Sequence, residues 1–183
     1  MNFWIGCAVW AYRDWVGDFY PPRTPQHEFL ERYVERLTAV EGNTTFWATP
    51  SAEQVARWAE SLPARFRFCP KMSRRVTHEG MLAQGRHLAE GFLERVAGFG
   101  ANLGPVLVQL PPSYGPSALR DLATFVDWWP HERARLALEV RHRGWWMDGP
   151  AAALAELLEG AGAGRVLLDT RPIYRADDDA QAD

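Results

Sequence analysis

Apolar positions along this chain alternate between two periods. Six short runs read as strands: Phe3 to Trp10, Ala39 to Trp47, Arg65 to Met72, Pro105 to Pro111, Arg135 to His142 and Arg165 to Asp169. Between them the spacing becomes helical. Phe29, Leu30, Tyr33, Val34 and Leu37 follow Thr24-Pro25, a helix-opening pair. Ser51 and Gln54 predict a capping box for the next helix, which Pro63 stops. Further helices are expected from Arg86 to Phe99, after a Ser117 cap (Leu119, Leu122, Phe125, Val126, Trp129), and from Gly149-Pro150. Residues 176–183 are small and acidic and read as a disordered tail, leaving residues 1–175 as one domain.

Six strand–helix repeats predict a parallel sheet with helices outside. No Gly-rich phosphate fingerprint follows the first strand, which disfavours a dinucleotide-binding sheet. Strand parity favours a (β/α) TIM-type barrel. Side chains alternate faces along a strand. Glu41, Asn43 and Thr45 fall on one face of the second, and Arg67, Cys69 and Lys71 on one face of the third. Leu107 and Gln109, Ala137, Glu139 and Arg141, and Leu167 and Asp169 follow the same rule in the later strands. The opposite faces are apolar and suit a helix layer. Each first face turns polar toward its C-terminal end, where barrel enzymes keep their sites. The expected fold is α/β, an incomplete TIM-type barrel of six units instead of the usual eight.

Composition narrows the class. The 183 residues are 47% hydrophobic and include nine Trp, which fits a globular domain. A net charge of −3 supplies no basic field, so nucleic acid is a disfavoured partner. No apolar run approaches the roughly 20 residues that span a bilayer. The N-terminus lacks the basic and small-residue features of a signal peptide. Cys7 and Cys69, each in an apolar run, read as buried free thiols of a cytoplasmic protein.

Of twenty basic residues, only Lys71 is lysine. Lysine is a compact charge whose pKa shifts on burial, which suits proton transfer or Schiff-base chemistry. Lys71, Glu41, Glu139 and Asp169 are therefore the candidate catalytic groups. Asn43, Thr45, Gln109, Arg141 and His78, with Trp10, Tyr12 and Trp145, are the candidate substrate-binding groups. In this reading Lys71 and Arg141 hold a carboxylate or phosphate of a small substrate while a glutamate moves protons. The competing structural reading is an ion-pair network filling the barrel top. No cofactor is expected, with a divalent metal as the alternative: Glu41, Glu139, Asp169 and His142 or His78 are hard ligands, but no metal-binding histidine spacing is present. A third reading is carbohydrate or nucleic-acid binding. There, Trp10, Tyr12, Trp15, Trp47, Trp145 and Trp146 would stack on sugars or bases beside Arg74, Arg75, Arg141 and Arg143.

The run Glu41-Gly42-Asn43-Thr44-Thr45-Phe46-Trp47 resembles the E-x-N-S/T-T-F-Y signature of the domain of unknown function 72 family, the YecE-like proteins. Trp10-Ala11-Tyr12 is similar to the family's first loop, and Phe66 to Lys71 with Thr77-His78, Leu103 to Pro112, Glu139 to His142 with Trp145, and Leu168 to Pro172 are similar to later stretches of the pattern. The resemblance implies a (β/α) barrel and no particular reaction. Ala8-Val9 departs from the Ser-Gly usual before the first-motif Trp. The family continues through two further strands, so this chain is expected to be truncated after its sixth. Two open sheet edges would then favour self-association.

Overall fold

The computed structural model describes residues 3–169. Five short strands run parallel. β1 (Ala39–Gly42) pairs with β2 (Arg67–Pro70), placing Glu41 opposite Cys69. β3 (Val106–Gln109) pairs with β4 (Leu136–Glu139), placing Gln109 opposite Glu139, and β4 pairs with β5 (Gly164–Arg165). Two isolated parallel bridges, Phe68 to Leu103 and Lys71 to Leu107, join the two sheets. Across that seam Gly104 donates to the Phe68 carbonyl and Met72 to the Leu107 carbonyl, both at 2.8 Å. Pro70 and Pro105 have no N–H to offer there, which breaks the ladder into bridges. The result is a mixed α/β fold with parallel sheets; no closed barrel is found among the described residues.

The helices are α1 (Phe29–Val34), α2 (Thr44–Trp47), α3 (Ala52–Glu60), α4 (Arg74–Thr77), α5 (Arg86–Val96), α6 (Leu119–Trp128) and α7 (Asp148–Gly160). The capping box at α3 forms as expected: Gln54 N–H donates to Ser51 Oγ at 3.2 Å and Ser51 N–H to Gln54 Oε1 at 2.9 Å. Val40, Phe68, Val106, Val108 and Leu138 are buried in one core with Val55, Phe92, Leu122, Phe125 and Leu154 from the helices. Each such side chain contributes about 1.5–3 kcal/mol by leaving water. The other sheet face, carrying Ala39, Glu41, Cys69, Leu107 and Ala137, lines an open cavity of about 360 Å³. Strand parity therefore holds within the strands.

The first expected strand, Phe3 to Trp10, does not form as a regular strand, although its chain runs beside β1. Ile5 O accepts from Ala39 N–H and Cys7 O from Glu41 N–H, both at 3.0 Å. The return bonds go elsewhere. Cys7 N–H donates to the Tyr33 hydroxyl at 2.6 Å, and that hydroxyl donates to Ala39 O at 3.1 Å. A phenol from α1 thus stands inside the ladder. Burial pushes the Tyr33 pKa far above its ordinary value, which keeps its proton available for donation. Ile5 N–H goes to Thr38 Oγ1 instead of a backbone carbonyl. Gly6 is needed at this approach, because a Cβ there would lie 1.9 Å from Ala39 O.

The second expected strand is cut short. The backbone leaves the sheet at Gly42, and Asn43 adopts helical angles (φ −59, ψ −22) as α2 begins. Asn43 and Thr45 therefore do not continue the Glu41 strand face. Ser117 does not cap α6; it lies in a 3₁₀ turn, Pro116–Ala118, leading into the helix. Cys7 is a free thiol but exposed, not buried, because it lines the open cavity on the sheet face that no helix covers. Cys69 is free too but only half-buried, and desolvation, with Glu41 adding, pushes its thiol up to about 11. The acidic tail lies outside the described residues.

Candidate functional site

The C-terminal ends of the strands carry two polar groupings. The first centres on Lys71, directly after β2, whose side chain is only 10% exposed. Its Nζ stands 3.7 Å from Glu41 Oε1 and 5.0 Å from the Phe46 ring centroid. Charge-assisted hydrogen bonds are typically about 2.7–2.9 Å, so the Lys71–Glu41 contact is loose and leaves amine donors for a third group. The ring contact is within the roughly 6 Å reach of a cation–π interaction. Thr45, fully buried in α2, fixes the Lys71 backbone. Its Oγ1 accepts from Lys71 N–H at 3.0 Å and lies 2.7 Å from Lys71 O and 2.8 Å from Gly42 O.

The second grouping centres on Glu139, a buried carboxylate at the end of β4. Gln109 Nε2, opposite it on β3, donates to both its oxygens at 2.9 Å. Arg141 Nε donates to Oε1 at 2.8 Å, while 41% of the Arg141 side chain stays exposed. A carboxylate bound this fully serves as a fixed anion that orients Gln109 and Arg141. Glu41, 32% exposed, is the glutamate that solvent or a ligand reaches.

His78 ties the groupings together. Its ring packs edge-on against Phe46 at 5.1 Å, and its Nδ1 lies 2.7 Å from Thr77 Oγ1. Burial lowers its pKa, and the charges of Lys71, Arg141 and Arg74 lower it further. All three cations therefore act against a charged imidazole. Because the folded pKa lies below the unfolded one, the unfolded chain takes up the proton first as pH falls. The neutral imidazole's contribution to stability is present above about pH 6.5 and is lost as pH drops through the folded value. Thermal melts between about pH 7 and 5 should show wild type losing stability faster than His78→Gln. Parallel losses would show that His78 does not feel these charges.

The remaining expected site residues are placed differently. Asn43 Nδ2 donates to Ala8 O at 2.7 Å and so fastens the N-terminal segment. Trp10 is buried, edge-on to Trp58 and Phe68, on the helix side of the sheet. Trp145 is fully buried, with its indole N–H donated to Tyr114 O. Tyr12 is 46% exposed and packs edge-on to Trp15. Asp169 is exposed at the end of the described residues. His142 caps its own turn, its Nδ1 accepting from Gly144 N–H at 2.9 Å. Among the described residues no group of three or more His, Cys, Asp or Glu side chains is placed to hold a metal ion. No helix among them is long and apolar enough to cross a membrane. Sequence reasoning missed Phe46 as a site residue. In a strand its parity would turn it away from Glu41, and only the switch to α2 brings it beside Lys71.

Comparison with known proteins agrees with this architecture. The UPF0759 protein YecE of Escherichia coli K12 is 34% identical over 174 residues, covering 94% of this chain and 61% of its own. The UPF0759 protein YunF of Bacillus subtilis is 26% identical, covering 78% of this chain and 51% of its own. This chain thus spans about three fifths of the length of YecE. Two crystal structures share the fold, both at 22% identity. A DUF72 family protein of Enterococcus faecalis superposes with a TM-score of 0.75 over 90% of this chain and 60% of that one. One of Thermotoga maritima gives 0.70 over 91% and 64%. The model of the family described as a protein of unknown function, DUF72, matches residues 4–182, and the chain belongs to that family.

Proposed function

We propose that the parallel strands belong to a (β/α) TIM-type barrel domain. Its C-terminal mouth binds a small anionic ligand and carries out acid–base chemistry on it. Sequential strands lying side by side, helices on one face and polar residues at the strand ends support the barrel reading. The observation that carries the ligand reading is the Lys71 amine, on a side chain only 10% exposed and no closer than 3.7 Å to Glu41, at the same strand ends as the 41% exposed Arg141. Arg141 has a close carboxylate partner in Glu139, whereas Lys71 and Arg74 have looser ones in Glu41 and Glu79, at 3.7 and 3.8 Å. An entering carboxylate or phosphate would take the donor positions that the loose Lys71–Glu41 contact leaves open. Lys71 and Glu41 are then the pair placed to exchange a proton with it, and Glu139 is a positioning residue for Arg141.

Titration of the protein with inorganic phosphate tests this reading. Lys71→Met should weaken binding by about 10- to 100-fold, the equivalent of one charge-assisted hydrogen bond. Lys71→Arg should retain most affinity, because the charge remains, while losing turnover on any substrate found. Unchanged phosphate affinity in Lys71→Met would remove the mouth as the anion site.

A further inference from the structure

Beside the cationic cluster lies a strip of aromatic surface that anion binding does not use. α2 carries Phe46 and Trp47 in succession, their rings edge-on at 5.2 Å. Phe46 is half-buried, its ring centroid 5.0 Å from Lys71 Nζ and 5.1 Å from that of the His78 ring. Trp47 faces outward and is 70% exposed. The Arg74 guanidinium, from the first turn of α4, lies 5.9 Å from the Trp47 ring centroid. Lys71, Phe46, Trp47 and Arg74 thus form one continuous path from the buried amine to the open indole.

A large indole left in water forfeits the stabilisation that burial gives. The segment that presents it is fixed: Thr45, two residues before Trp47, is fully buried and bonded to the Lys71 backbone. Trp47 is therefore a rigidly mounted flat surface beside Arg74, which Glu79 holds only loosely at 3.8 Å, and one ring away from Lys71. That combination recognises a ligand with two parts, a negative head and a planar ring. The head takes the Lys71 amine, the ring stacks on Trp47, and the Arg74 guanidinium flanks it.

We infer that the ligand of this site is an anion carried on an aromatic or heteroaromatic ring, with Trp47 as the ring-binding residue. This rests on the anionic-ligand reading above and adds the chemical class of what the anion is attached to. The alternative role for Trp47, a patch on which another protein docks, would leave small ligands indifferent to it.

Phenyl phosphate and methyl phosphate separate the two parts of the inference. Both are monoesters with the same charge, and only one carries a ring. Wild-type protein should bind phenyl phosphate about tenfold more tightly than methyl phosphate, at the lower end of what base–aromatic stacking contributes. Trp47→Ala, at an exposed position that does not challenge folding, should abolish that preference and keep methyl phosphate binding. Arg74→Ala should reduce the preference in the same direction. Equal binding of the two esters by wild type overturns the ring assignment and leaves the anion site standing. So does a preference that survives Trp47→Ala. Binding of neither ester overturns both readings together.

Discussion

Trp145→Ala is expected to lower the free energy of unfolding by about 3–5 kcal/mol, the range for removing a large aromatic from a packed core. The ring is fully buried, and its N–H donates to Tyr114 O at 2.8 Å. Tyr114 in turn donates from its hydroxyl to Asp121 Oδ2 at 2.6 Å. Asp121 also accepts from the backbone N–H groups of Leu82 and Ala83. Trp145 therefore joins the turn after β4 to the turn after β3, and through Asp121 to the segment before α5. Truncation leaves both a cavity and an orphaned carbonyl. Trp145→Phe separates these costs: most of the ring volume remains, and only the hydrogen bond is lost, for about 1–3 kcal/mol. Urea unfolding of the three proteins measures both. A loss under about 1 kcal/mol for the alanine variant, typical of unremarkable surface positions, would contradict the core assignment.

Trp145 also shows where sequence reading stops. A tryptophan after a strand end is equally compatible with a rim that stacks ligands and with a plug that packs loops. The deciding fact is the Tyr114 carbonyl above it, supplied from 31 residues away. Trp10 is a second case, its place decided by Trp58 and Phe68. Non-local neighbours of this kind leave no local pattern. The strand parity of Glu41, Gln109 and Glu139 was legible, because alternation is a local property of extended backbone. Parity failed at Asn43 and Thr45, where β-branched and aromatic residues read as strand while tertiary contacts turn the chain into α2. It also could not tell which carboxylate holds which cation. That depends on lateral register, which sets Gln109 against Glu139 and leaves Glu41 to Lys71. The first expected strand failed for a different reason: the phenol that replaces its ladder bond comes from a helix 26 residues on.

The second large effect is expected at Thr45, a residue read from sequence as substrate-binding. Its hydroxyl is the only polar atom of a fully buried side chain, and it is engaged with Lys71 N–H, Lys71 O and Gly42 O. Valine matches threonine in shape and removes the hydroxyl. Each backbone group left buried without a partner costs about 1–3 kcal/mol, so Thr45→Val should be among the most destabilising single-atom changes in the chain. Thr45→Ser keeps the oxygen and should recover most of that loss. The functional consequence follows from which residue the hydroxyl holds. Lys71 stands just past the end of β2, where it bridges to Leu107, and its amine lies near Glu41 and the Phe46 ring because its backbone is fixed there. With the tether gone, folded Thr45→Val protein, studied well below its melting temperature, should bind phosphate more weakly although no charge has been altered. Thr45→Ser should bind as wild type does. If Thr45→Val loses stability and retains full phosphate affinity, the hydroxyl serves the fold alone, and Lys71 is held in place by Glu41 and Phe46 without it.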